Sequence, residues 1–275
     1  MAFVSQGTFM SQANKTAGLT WLSTTEAAIN VGDLLILVIA KDNASTTDGE
    51  TSEVESISVG LNVLLKVKEF CNGQGGANAG AVVSVWAKQN ATAEVSGATV
   101  TITFSSSIAA KAATGWRFTM DNAKLLTLEA SGVLANDGVD AGAMTLSGMV
   151  SREHLMIRGG AVEAALTTYG VSVNYTAFDI TGANTTGGGA AANMAARGEF
   201  RIVTSTSETT DPTTSASDQA SAMLALYESE LNLPVLQSVE GSLKGADMVP
   251  WTSLGQGTMV MRDRVAPTFA ERKAA

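Results

Sequence analysis

Seven consecutive apolar residues, Leu34 to Ala40, follow a Gly32-Asp33 turn. The run is too short to span a bilayer and too continuous to alternate, so it predicts a strand covered on both faces. Residues 97–104 show the opposite pattern. Val100, Ile102 and Phe104 alternate with Thr99, Thr101 and Thr103, giving one buried face and one threonine face that is wet or set against another threonine-rich strand. Trp21 and Leu22 open the first strand, and further strands are expected at 54–59, 62–70, 82–88 and 112–118. In the second half, Leu155–Leu166 and Val171–Phe178 are expected as strands joined near Thr167–Gly170, followed by Phe200–Val203. Ala220–Tyr227 fits a helix by the spacing of Ala222, Met223 and Leu226. It is read as a strand because of where it falls in a repeat.

That repeat is the main organising feature. Residues 32–43, 82–88 and 112–118 have weak counterparts, in the same order, at 154–158, 198–204 and 220–227. The offset far exceeds a solenoid period. The expected fold class is therefore all-β: a jelly-roll β-sandwich with an internal pseudo-repeat, in which two four-strand units close on each other. The body is placed at 19–233, with an extended N-terminal arm over 1–18 and an extended C-terminal tail over 234–275, where neither period persists.

Composition narrows the function. The chain has 275 residues, of which 45% are hydrophobic and 16% charged, as in a globular protein. A net charge of −9 argues against coating nucleic acid. Residues 241–275 carry five basic and three acidic side chains, a net of +2, so the rest holds −11. A basic tail on an acidic body suits docking to an acidic protein surface. Cys71, the single cysteine, cannot form an internal disulfide, in keeping with assembly in a reducing cytoplasm. The first residues lack a basic segment followed by an apolar core, so no signal peptide is expected.

Candidate chemistry is sparse. His154, the one histidine, neighbours Glu153, but consecutive strand residues point to opposite faces. Asp42, Asn43, Asp48 and Glu50 share a loop that could offer oxygen ligands to calcium, although turn formation is the commoner use of such residues. The glycine-rich stretches 73–80 and 182–189 lack a phosphate-loop signature and are expected at the same end of the two copies. Glu53 with Glu55, and Glu228 with Glu230, have same-face spacing but read as solvated edges. Trp86 and Trp116 are placed in the core. No catalytic residue, cofactor or metal is assigned.

With Gly32–Asn43, Ser84–Lys88 and Phe200–Pro212 in view, residues 20–230 resemble the β-sandwich structural proteins of tailed bacteriophages: head-decoration or cement proteins, head fibres and tail-associated proteins. The resemblance implies a non-enzymatic virion component on the capsid exterior, made in the host cytoplasm. Its expected partners are the major capsid protein and copies of itself, with no nucleic acid and no membrane. The expected interface anchors are Phe3 and Phe9 in the arm and Trp251, Met259, Met261, Arg262, Arg264 and Phe269 in the tail. The rival expectation is a tail fibre or receptor-binding module that recognises host glycans through its loops. A major capsid protein fits less well, because no long charged helix is evident, and a tail-tube subunit fits on size alone.

Overall fold

The computed structural model describes residues 3–165, 169–187, 192–214 and 217–230. Its strands are β1 (Val4–Asn14), β2 (Gly18–Thr24), β3 (Leu34–Asp42), β4 (Val54–Val59), β5 (Asn62–Val63), β6 (Leu65–Asn72) and β7 (Ala81–Lys88). There follow β8 (Thr99–Ile108), β9 (Lys111–Thr119), β10 (Lys124–Val139), β11 (Met144–Val162), β12 (Thr176–Ala177), β13 (Ala195–Thr210) and β14 (Ser217–Glu230). No α-helix occurs among the described residues. Three antiparallel sheets result, ordered β1-β9-β3-β7-β6, β10-β14-β11-β13-β12 and β2-β8-β4-β5.

The first sheet is the middle layer, and β3 shows why. All nine of its residues are buried. Leu34, Ile36, Val38 and Ala40 pack with Leu155, Ile157, Ala222 and Leu224 of the second sheet. Leu35, Leu37 and Ile39 point the other way, into a core shared with Trp21, Ile57, Val100, Ile102 and Phe104 of the third sheet. The continuous apolar run thus has both faces covered, as its sequence requires. β14 is a strand, as its place in the repeat predicted.

The pseudo-repeat survives as topology. In the middle sheet β3 lies between β9 and β7; in the second sheet β11 lies between β14 and β13. The flanking strands correspond too, β1 with β10 and β6 with β12, so the two five-stranded sheets have one connectivity. They pack face to face, β7 on β14 and β9 on β13. The third sheet was not anticipated. Its strands occupy the connections of the first copy alone, so the chain has three layers where two were expected.

Three further expectations need correction. The extended N-terminal arm expected over 1–18 is largely a sheet strand: Val4–Asn14 pairs along β9, with irregularities between Ser5 and Gly7 and between Thr8 and Met10. Those bulges break the two-residue period and hide the strand in the sequence. Val171–Phe178 contributes only the two residues of β12. Asn174 there adopts a left-handed φ of 66°, and Ser172 is tied to Glu199 by its N–H and its hydroxyl. Finally, β10 has no counterpart among the sequence-derived strands, because as an edge strand it has no fully buried face to impose a two-residue period.

Close approach of the two repeated sheets depends on Gly159 in β11. A Cβ there would lie 2.9 Å from Val85 Cγ2 and 3.1 Å from Val38 Cγ1, both fully buried. Gly159→Val is expected to cost about 1–3 kcal/mol by overpacking, seen as a fall in Tm by calorimetry.

Candidate interaction surface

The third sheet has one apolar and one mixed face. Trp21 of β2, Val54, Ile57 and Val59 of β4, and Val100, Ile102 and Phe104 of β8 fill the core. The opposite face shows Thr99, Thr101 and Thr103 beside Leu22, Ser56, Ser58 and Val63. The threonine stripe of β8 therefore faces outward, flanked by small hydroxyl residues. Leu22 is 66% exposed and Val63 63%, leaving apolar area in water whose burial against a partner would be favourable.

The loops at the end of this layer add three more apolar tips, Val31 (79% exposed), Leu61 (80%) and Val95 (74%). The loops that carry them are tied to one another at Glu94. Glu94 and Ile29 exchange both backbone hydrogen bonds, at 2.9 and 3.0 Å, and the Leu61 N–H donates to the Glu94 carboxylate at 2.6 Å. Asn62 clamps the same loops, donating to Thr92 O at 2.9 Å and accepting from Thr92 N at 2.7 Å. Gly60 turns the chain at φ +55°, and a Cβ on it would collide with the Glu94 carboxylate. Exposed apolar groups on so well tied a frame are pre-organised for contact.

The anchors expected from the sequence lie elsewhere. Phe3 and Phe9 are fully buried in the chain's own cores, Phe3 between the repeated sheets and Phe9 between the middle and third sheets. Phe9 sits in the bulge of β1 with its ring over Gly115, so neither phenylalanine is available to a neighbour. Trp251, Met259, Met261, Arg262, Arg264 and Phe269 lie outside the described residues. Trp21 and Trp86 are core residues. Trp116 is half-buried, stacked at 5.5 Å on Phe178 and donating to Ser5 Oγ at 2.7 Å.

Most ionisable groups weighed in the sequence serve as staples. His154 Nε2 lies 2.9 Å from Glu129 Oε2, while Glu153 accepts the Phe3 N–H, so the two neighbours do point apart. Burial would raise the Glu129 carboxyl, but the Val150 N–H, His154 and Arg152 hold it below its ordinary range. No local signal could have revealed Glu129, which is brought in at a bulge of β10.

The Asp42–Glu50 loop uses most of its polar groups to tie itself to the fold, although Asp42 Oδ1 is buried without a hydrogen-bond partner. Asp42 accepts from Ala110 N at 3.1 Å and Asp48 from Gly73 N at 2.9 Å, and Glu50 pairs with Lys68. Asn43 donates to Ser45 O, Gly73 O and Gly76 O and accepts from Gly80 N, fixing the first glycine-rich loop. Among the described residues no three His, Cys, Asp or Glu side chains stand as a metal site. In the second glycine-rich stretch, Gly182 N–H donates to Ser11 Oγ at 3.0 Å. Both stretches thus meet the end of the middle sheet where β1 and β3 finish.

The paired carboxylates are divided as well. Glu53 is buried against Lys41 and takes the Ala44 and Ser45 N–H groups at 2.8 Å, whereas Glu55 is exposed beyond the irregularity between Val54 and Ser56. Burial acts to raise the Glu53 carboxyl, yet Lys41 and those donors bring it below its usual range. Glu228 accepts from Asp121 N at 2.6 Å, and Glu230 pairs with Lys124 at 3.0 Å.

No protein-family model, curated protein or solved structure matches this chain.

One buried acid gives a measurable consequence. Glu163 follows β11, and burial, then Asp218 and Asp42 nearby, push its carboxyl up to about 8. The folded chain therefore holds this proton more tightly than the unfolded chain does. Its contribution to stability is fully present below the unfolded value of 4.5 and is lost as pH rises towards 8. Glu163→Gln should flatten the decline of Tm across that window, read by thermal melts at a series of pH values.

Proposed function

We propose that this chain is a non-catalytic structural protein of a bacteriophage particle, most directly a capsid decoration or cement protein on the outside of the shell. The observation that carries this reading is the concentration of Leu22, Val31, Leu61, Val63 and Val95 on one stiff layer. In this reading the outer face of the third sheet and its Glu94-centred loops seat on the major capsid protein or on a neighbouring copy of the chain. The role first expected of Phe3 and Phe9 passes to that face, and the C-terminal anchors from Trp251 to Phe269 remain part of the proposal.

We also infer a jelly roll within the first copy. Residues 4–119 run β1-β9-β3-β7-β6 in one sheet and β2-β8-β4-β5 in the other; with β6 as an added edge strand, this is the interleaved order that such a roll produces. Scaffolds of this kind hold loop tips rigidly, which suits a shell component that must repeat the same contact many times. Each apolar side chain removed from water is worth up to about 1.5–3 kcal/mol. Ordering and desolvation reduce that gain, and multivalency on a shell restores effective strength.

The test is co-sedimentation of the purified chain with shells made from a genome lacking its gene. Wild type should pellet with the shells. The Leu22→Glu/Leu61→Glu double variant should bind at least about tenfold more weakly, a difference of about 1.4 kcal/mol, with its Tm unchanged. Equal binding by the variant would overturn the assigned face. Failure of wild type to bind shells, with binding to host cells instead, would favour a receptor-binding module.

A further inference from the structure

Arg158 of β11 and Arg197 of β13 are each only 1% exposed, and both lie on the face of the second sheet turned away from the middle layer. Across the ladder Arg158 is opposite Glu199, and Gly160 is opposite Arg197. The absent side chain of Gly160 leaves a pocket with room for one water-sized guest, lined by both arginines, Tyr169, Thr214 and Ser221.

The two guanidinium groups are satisfied very differently. Arg158 donates to Ala141 O and Gly142 O at 2.8 Å, and to Thr210 O, Thr210 Oγ1 and Ser221 Oγ at 3.2 Å. Arg197 makes one marginal bond, from Nη1 to Ala196 O at 3.5 Å, and stands 5.7 Å from the Tyr169 ring centre. Its Nε and Nη2 are buried without any hydrogen-bond partner.

Arg158 feels the carboxylates of Glu199, Asp211 and Asp140 from beyond contact distance, whereas no carboxylate among the described residues acts on Arg197. Among the described residues neither arginine has a carboxylate within ion-pair distance. Glu199 is turned to Ser172, accepting from its hydroxyl at 2.6 Å and its N–H at 2.8 Å. Burial brings the Arg197 guanidinium down to about 10, the response of a cation taken out of water without a counter-charge. An uncompensated buried cation costs several kcal/mol, and an anion in contact with it removes most of that cost.

We infer that this pocket is a structural site for a small inorganic monoanion of halide size, held by Nε and Nη2 of Arg197 and by the Ser221 hydroxyl beside the backbone-capped Arg158. Room for a single small guest favours a halide over the larger phosphate or sulfate. Ser221 Oγ already accepts from Arg158, so its own proton is available to donate to the guest. The bound ion would tie β11, β13 and β14 together at the point where the loops after β10 and β13 cover the sheet.

The experiment follows the full chain by thermal melting at constant ionic strength as sodium gluconate is replaced by sodium chloride. Saturation up to about 200 mM chloride should raise Tm by roughly 5 °C. Arg197→Met should abolish that chloride dependence. A second reading does not need the variant to fold. Crystals grown in bromide should give an anomalous peak within about 3.5 Å of Arg197 Nε or Nη2. No peak, or an equal chloride response in Arg197→Met, would overturn the site and leave the pocket to water.

Discussion

Everything in this molecule depends on burying both faces of one strand. A run such as Leu34–Ala40 cannot lie at a surface: each of its side chains is worth roughly 1.5–3 kcal/mol more inside than out. One covering sheet would protect only the even-numbered residues. The chain supplies two, the repeated sheet over Leu34, Ile36 and Val38 and the third sheet over Leu35, Leu37 and Ile39. The order of layers, the position of β1 and the direction in which the mixed face of the third sheet looks all follow from that requirement.

The buried charges have a matching role at the ends of the layers. Lys41, at the end of β3, meets Glu53, which in turn caps two loop N–H groups. Glu69 takes the Thr51 and Ser84 hydroxyls at 2.9 Å and pairs with Lys66 at 2.9 Å. Lys111 caps Thr16 O, Ile108 O and Ala109 O. Such groups add little net stability, because desolvation offsets their attraction, but they fix where loops sit. The result is a set of loops tied firmly to the sheets. Arg197 departs from this pattern, being a buried charge with no carboxylate partner among the described residues.

Much of the fold could be read from pattern alone. The unbroken run at Leu34 required two covered faces, and Val100, Ile102 and Phe104 gave the inward face of β8. The order of the weak repeats anticipated that β3, β7 and β9 would correspond to β11, β13 and β14. What escaped was whatever breaks a period or depends on distance. β1 is disguised by its bulges and β10 by its half-exposed edge position. Phe3 and Phe9 read as interface anchors because the flanking residues are small and polar, and only the pairing with β9 reveals that they are enclosed. The surface now favoured was hardest to see, since Leu22, Leu61 and Val95 are single apolar residues that no periodicity marks as outward. Arg158 and Arg197 did carry a signal: each sits within a run of small or apolar residues, where a strand buried on both faces must also bury its arginine.

The central claim is that this block belongs to a particle, and the most direct test is its stoichiometry. Label-free peptide mass spectrometry on virions propagated from the encoding genome would compare this chain with the major shell protein. The account predicts a ratio near one-to-one or one per three. Complete absence from purified particles would contradict it.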